Sequence, residues 1–173
     1  MTWKNLLQVE VEDSYRRTLT LLDLVDEGAL DWKPATGENW MSTGQLLHHL
    51  TNACGFCFKG FVTGDWGMPA DFDLNTASHE EMLPPADRLP AVTTVAEARK
   101  LIEEDKALAL ATLASVSEEE LETRPAPAPW DPSQVLLGHR LLQMVEHLKQ
   151  HKGQLFYYLK LQGKAVNTMH LWA

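Results

Sequence analysis

Residues 137–159 read LGHRLLQMVEHLKQHKGQLFYYL, and this stretch decides the fold. Its apolar residues recur at steps of three and four, which predicts an amphipathic helix with one face in a core. The stripe consists of Leu137, Leu141, Met144, Leu148, Leu155 and Tyr158. His151 fills the vacant position in this stripe, and His147 lies beside it, one turn earlier. Two imidazoles placed in this way have the geometry of a chelate.

The two histidines need partners if they are buried. An imidazole buried without a hydrogen bond loses on the order of 1–3 kcal/mol, and metal coordination would remove that penalty. The alternative is that both rings are partly exposed and bonded to water or to Glu146, which is the commoner situation for such a pair on a helix. A third histidine favours coordination, because His49 lies with Leu46 and Phe56 on one face of another predicted helix.

The other histidines are weaker ligand candidates. His48 and His49 are adjacent, so at most one of them points into the seam, and helical spacing barely separates them. His139 is rotated away from His147 and is interpreted as a polar flanking residue. His79 and His170 fall in a loop and in the tail, where we expect them to be solvated, with His170 as a reserve ligand.

Four long helices are predicted in all. The first covers residues 3–26, and the second begins at the capping box of Ser42 and Gln45 and runs to about residue 62. The third opens at a second capping box, of Thr94 and Glu97.

The fourth helix is expected to follow a stiff connector. A short helix capped by Ser117 precedes the proline-rich residues 124–132. Asp131 is then the predicted N-cap of the fourth helix, with Pro132 at its first position and Gly163 at its end.

The helices predict an all-α fold, a four-helix bundle that forms a single domain over residues 1–173. Pro, Gly and Asp recur in residues 63–92, between the second and third helices, and a loop of this length is a candidate lid or pocket wall. Four tryptophans lie in or beside loops, where we expect them to anchor those loops to the bundle. Trp66 is the best candidate among them for a pocket lining.

Composition excludes some classes of partner. With 15 Lys and Arg against 24 Asp and Glu, the net charge of −9 disfavours binding to nucleic acid or to anionic lipid. The N-terminal residues do not resemble a secretory signal, and no apolar run approaches the roughly 18 residues that span a bilayer. The expected location is therefore cytoplasmic, with a small-molecule substrate and a second copy of the chain, in a homodimer, as the partners considered.

The two cysteines, Cys54 and Cys57, form a C-x-x-C pair. Such a pair can be redox-active or can ligate zinc, but neither cysteine shares the face of His49, and no βαβ pattern surrounds them. We therefore interpret both as inert residues of the core or its boundary.

Three neutral imidazoles with an open fourth position suit Zn, and this ligand type also accepts Ni, Co or Fe. The segment HLKQH has no glutamate between its histidines, so the general base of the H-E-x-x-H zinc proteases is absent. A peptidase is disfavoured.

Two segments resemble the DinB/YfiT-like superfamily of metalloenzymes. WMSTGQLLHHL, residues 40–50, is similar to the capped, histidine-bearing second helix of that family. HLKQHKGQLFYYLKLQG, residues 147–163, is similar to its H-x-x-x-H-[RK]-G-Q-L ending. The resemblance implies an up-down-down-up four-helix bundle with a divalent metal site, Zn or Ni being usual. It also implies that His49, rather than His48, joins His147 and His151 as ligands.

The resemblance also implies an activity, because characterised relatives include transferases and isomerases that use a low-molecular-weight thiol. A metal-dependent thiol transferase is thus the expected function, and the catalytic residues are unknown. Two alternatives stay open: a non-catalytic metal-binding or dimerising module, and a metal-dependent hydrolase. The sequence departs from the family pattern after the first ligand, where TNACG lacks an acidic residue, and at Asn167, where proline is frequent.

Overall fold

The computed structural model describes residues 1–68, 78, 81 and 84–172. In these residues the chain is all-helical, with two isolated β-bridges and no strand. The helices are α1 (Trp3–Leu22), α2 (Thr43–Leu50), α3 (Gly55–Thr63), α4 (Val95–Ser115), α5 (Glu118–Thr123), α6 (Leu137–Leu161) and α7 (Met169–Trp172). Much of the predicted long loop, together with His79, lies outside the described residues.

The long helices share one apolar core. Helix α1 packs on α4 and α6, α3 packs on the same two helices, and α2 packs on α6. Leu7, Val11 and Tyr15 of α1 are fully buried, as the period of the first helix predicts. Leu141, Leu148 and Leu155 of α6 are fully buried as well, so the predicted stripe does face the core.

Most capping predictions are confirmed. Ser42 and Gln45 form a capping box at the start of α2, and Ser117 and Glu120 form one at the start of α5. Thr94 caps α4, but the Glu97 carboxylate accepts hydrogen bonds from Thr93 instead of Thr94. At the end of α6, Gly163 adopts φ = 82°, a backbone conformation that favours glycine.

The predicted second helix is in fact two helices. It stops at Leu50 and restarts at Gly55, because the carboxylate of Asp105 on α4 accepts hydrogen bonds from the N–H groups of Gly55 and Phe56. The cap of α3 therefore comes from a residue 50 positions away, which local sequence does not reveal.

The predicted start of the last helix is wrong, since α6 begins at Leu137 and not at Asp131. The Asp131 carboxylate accepts hydrogen bonds from the backbone N–H and the hydroxyl of Ser133 and from the buried guanidinium of Arg140. These contacts close residues 125–136 into a compact loop, which is also held by the N–H of Ala126 donating to the Val135 carbonyl at 2.8 Å.

Candidate metal centre

Three histidines meet where α2 packs on α6. The Nε2 atom of His49 lies 3.2 Å from Nε2 of His147 and 3.1 Å from Nε2 of His151. The Nε2 atoms of His147 and His151 are 3.0 Å apart. His49 comes from α2, and the other two come from consecutive turns of α6, as their four-residue spacing predicts. The structure thus brings together the three residues that the sequence singled out.

The position of α2 is fixed at both ends. The Gln45 side chain, part of the capping box, also donates to the carbonyls of Ala86 and Leu89 at 2.6 and 2.9 Å. After its last turn, the Ala53 carbonyl lies 3.0 Å from Nδ1 of His147. The helix that carries His49 is therefore tied to the segment before α4 and to the second histidine.

The outer nitrogens of the two α6 histidines have polar partners. Nδ1 of His151 lies 3.0 Å from Oε1 of Gln154, and the Gln154 amide group donates to the Tyr158 hydroxyl at 3.3 Å. That hydroxyl in turn donates to the Met41 carbonyl at 2.8 Å. Such outer contacts orient imidazole ligands and fix their tautomers.

These contacts determine where the lone pairs point. A carbonyl oxygen accepts hydrogen bonds only, so these contacts require a proton on Nδ1 of His147 and of His151, and in a neutral imidazole Nε2 is then unprotonated. Their two Nε2 atoms then face each other 3.0 Å apart as acceptors, and His49 can donate to at most one of them. Hydrogen bonds within the triad therefore leave at least one acceptor without a donor.

The arrangement fits a metal ion. Zn–N bonds of about 2.0–2.1 Å place tetrahedral ligand nitrogens roughly 3.3 Å apart, and octahedral geometry places them roughly 3.0 Å apart. The observed separations of 3.0–3.2 Å lie within this range. The ligand atoms form a group that could hold a metal ion, and neutral imidazole suits Zn, Ni, Co and Fe alike.

Burial favours the neutral form of His49 and His151. Desolvation, followed by the charges that His151 and His147 would carry, lowers the pKa of His49 to about 3. Burial lowers the pKa of His151 as well, opposed by its hydrogen bond to Gln154. Neutral imidazole is the form that binds a metal ion.

The other candidate residues lie elsewhere. His48 is not part of the triad, His139 is exposed, and Nδ1 of His170 contacts Asn167. Both cysteines are buried as free thiols, in agreement with the sequence interpretation. Burial raises the pKa of Cys57 to about 12.

A cavity of about 570 Å³ adjoins the triad, and His49 and His147 form part of its wall. Trp66 lines it, as the sequence suggested. Trp130, Phe56 and Met144 also line it, and sequence reasoning missed them as pocket residues. In the sequence, Trp130 stands out only as a tryptophan in a proline-rich connector. That position does not show that its ring points into a cavity.

Among the residues that the structure describes, every helix is too short or too polar to span a bilayer. No curated protein matches the chain. A match to the model of the DinB superfamily extends over residues 10–155 and includes all three histidines of the triad. The chain therefore belongs to the DinB superfamily.

Proposed function

We propose that His49, His147 and His151 bind one divalent metal ion, with Zn or Ni as the favoured metals, and that the protein is a thiol-dependent transferase. The convergence of three Nε2 atoms within 3.0–3.2 Å carries the proposal. Membership of the DinB superfamily supports it, because the family is associated with metal sites.

The triad, the residues that orient it and the adjoining cavity each have a role in this proposed function. His49, His147 and His151 would hold a divalent ion, which would supply Lewis acidity that lowers the pKa of a low-molecular-weight thiol. The carbonyl of Ala53 and the amide of Gln154 orient the two α6 imidazoles, and burial keeps His49 unprotonated. The adjoining cavity holds the second substrate against His49 and His147.

The first experiment is elemental analysis of protein purified without an affinity tag. We expect about one Zn or Ni per chain in the wild type and loss of that metal in His151→Ala. His139→Ala is the matched control, because His139 is exposed on the same helix and outside the triad. Wild-type protein without metal, even after reconstitution, would refute the site.

The second experiment tests the chemistry. Metal-loaded protein should conjugate thiols to electrophiles, and replacement of His147 and His151 by Ala should abolish the conjugation. Conjugation that survives in the double variant would refute the thiol mechanism. The proposal of a metal site would then still stand on the elemental analysis.

A metal-dependent hydrolase is less well supported. No Asp or Glu side chain lines the cavity among the described residues. The buried carboxylate of Asp105 accepts hydrogen bonds from Tyr15 and from the N–H groups of Cys54, Gly55 and Phe56, so it is committed to the structure. A non-catalytic module is the outcome if metal is bound and no conjugation is found.

We also propose that the chain is one domain, an up-down-down-up four-helix bundle, which forms a homodimer. The packing of α1 and α3 on α4 and α6 supports the bundle. Tyr157 and Leu161, which are 64% and 65% exposed on α6, offer apolar surface for a second copy. Sedimentation of the wild type and of Leu161→Glu measures this assembly.

A further inference from the structure

The cavity beside the triad is walled mainly by apolar side chains. Besides the two histidines, its described lining includes Met41, Phe56, Trp66, Leu89, Trp130 and Met144. Its volume of about 570 Å³ lies within the range of small-molecule sites. The cavity can therefore accept a compact ligand whose reactive end reaches His49 and His147.

The rings of two tryptophans form one side of this cavity. The rings of Trp66 and Trp130 meet edge to face, with centroids 5.5 Å apart, and Phe61 contacts both. Gly60 makes room for this wall, because a Cβ atom there would lie 2.4 Å from Cε3 of Trp66. Trp66 is thus seated directly on the backbone of α3.

Trp130 is held by a buried cation outside the cavity. Arg140 is 3% exposed and donates to the Ala126 carbonyl at 3.0 Å and to the Asp131 carboxylate at 3.1 Å. These two acceptors lie on either side of Trp130 in the chain. Because the guanidinium binds both acceptors, it holds the segment that carries Trp130 in place. It is therefore not available to pair with a charged ligand.

The described part of the cavity wall carries no charged side chain to match a charged ligand. Among its described lining residues there is no Lys, Arg, Asp or Glu, and the net charge of the whole chain is −9. A charged ligand group placed against this wall would lose its hydration without an opposite partner, which is strongly unfavourable. An uncharged ligand avoids that penalty.

One neutral polar group is available at the wall. Asn52 lines the cavity three residues after His49, and its carboxamide makes no hydrogen bond with the residues that the structure describes. The amide can both donate and accept, so it can pair with a hydroxyl or carbonyl oxygen.

We propose that this cavity binds an uncharged, aromatic substrate, which packs on Trp66 and Trp130 and hydrogen-bonds through a hydroxyl or carbonyl group to Asn52. The assignment of this molecule as the substrate rests on the proposed function, whereas its binding does not require metal. The substrate class is thus the neutral aromatic electrophile.

Calorimetric titration with three naphthalene probes tests the inference. The probes are 2-naphthalenemethanol, 2-naphthoate and 2-(aminomethyl)naphthalene, which share a ring and differ in charge. We expect the alcohol to bind metal-free protein at least about tenfold more tightly than either ion, which corresponds to about 1.4 kcal/mol. Equal or tighter binding of an ion to metal-free protein, or no binding of the alcohol, overturns the inference.

Variants locate the binding. Trp130→Ala should weaken binding of the alcohol at least about fivefold, because an aromatic contact is lost together with apolar area. Trp172→Ala is the matched control, since that ring is 65% exposed on α7 and contacts Arg17. Asn52→Leu should weaken binding of the alcohol but not of 2-methylnaphthalene. Unchanged affinity in both Trp130→Ala and Asn52→Leu contradicts the assignment.

The outcomes separate the two proposals. Metal uptake on reconstitution is measured on the same preparation, so neutral-probe binding by protein that takes up no metal rejects the transferase while the binding site stands. Metal binding with no preference for the neutral probe rejects the substrate class while the metal centre stands.

Discussion

Tyr15 donates its hydroxyl hydrogen to the carboxylate of Asp105 across the core, at 2.6 Å. The same carboxylate accepts the N–H groups of Gly55 and Phe56, which start α3. The turn shaped in this way carries Ala53, whose carbonyl orients His147. A pair of residues that touches no ligand thus positions one member of the triad.

Asp105→Asn should therefore affect both the fold and the metal centre. The carboxamide replaces one acceptor oxygen by a donor that faces N–H groups, so we expect the free energy of unfolding to fall by roughly 1–3 kcal/mol. Metal affinity should fall by up to about tenfold, as for other residues that orient ligands indirectly. Urea unfolding and chelator competition measure the two effects. Tyr15→Phe, which removes a single donor, is the milder control, and an Asn variant as stable as the wild type contradicts this role.

The metal-free protein should lose stability as it is acidified. The folded-state pKa of His49, about 3, is below the ordinary value of 6.5, so below pH 6.5 the unfolded chain binds a proton that the folded chain does not. The destabilisation caused by His49 is absent above pH 6.5. Below that pH, the free energy of unfolding falls by at most about 1.4 kcal/mol for each pH unit. Urea unfolding between pH 7 and pH 5 measures it. His49→Leu should reduce the dependence of the unfolding free energy on pH, whereas His139→Ala should leave it unchanged. The same pH dependence in the wild type and both variants would contradict the prediction.

Both cysteines should resist alkylation in the folded state. With the pKa of Cys57 raised from 9.0 to about 12, its thiolate at pH 8 is about a thousandfold scarcer than in an exposed cysteine. Burial raises the pKa of Cys54 as well. Mass spectrometry after iodoacetamide treatment should find both residues unmodified in native protein and modified in urea. Cys57 also lines the cavity, so rapid labelling of this residue in native protein would show that its thiol is open to reagents from there.

Two glycine substitutions should have opposite effects. A Cβ atom at Gly55 would lie 2.0 Å from the Asp105 carbonyl oxygen, so Gly55→Ala should destabilise the fold by at least roughly 1–3 kcal/mol. Nothing lies within 4 Å of a Cβ atom at Gly153, so Gly153→Ala in α6 should stabilise it by roughly 0.5–1 kcal/mol. Thermal unfolding compares the pair. Destabilisation by Gly153→Ala would indicate that another molecule packs against that position.

The sequence predicted those parts of the fold that depend on neighbouring residues. The capping boxes at Ser42 and Ser117, the core stripe of α6 and the left-handed Gly163 all follow from short-range patterns. The placement of each histidine on an apolar helix face follows for the same reason, whereas their meeting depends on the packing of α2 on α6. The choice of His49 over His48 came from family resemblance, since spacing alone left it open.

The features that sequence reasoning missed depend on side-chain contacts outside the repeating pattern of a helix. The break between α2 and α3 requires Asp105, and the late start of α6 requires Arg140 to hold Asp131. Trp130 reaches the cavity only because that loop is folded back. Local propensity contains none of this information, because the partners are assembled by tertiary packing.

The loop of residues 125–136, which Arg140 of α6 holds in place, carries a part of the cavity wall that is separate from the histidine triad. The triad is mounted on α2 and α6, whereas Trp130 belongs to an irregular segment whose shape depends on one buried guanidinium. Irregular segments tolerate insertion and exchange more readily than helices do. Descendants of this sequence could therefore acquire a differently shaped cavity by remodelling residues 125–136, while the inherited histidine triad stays as it is.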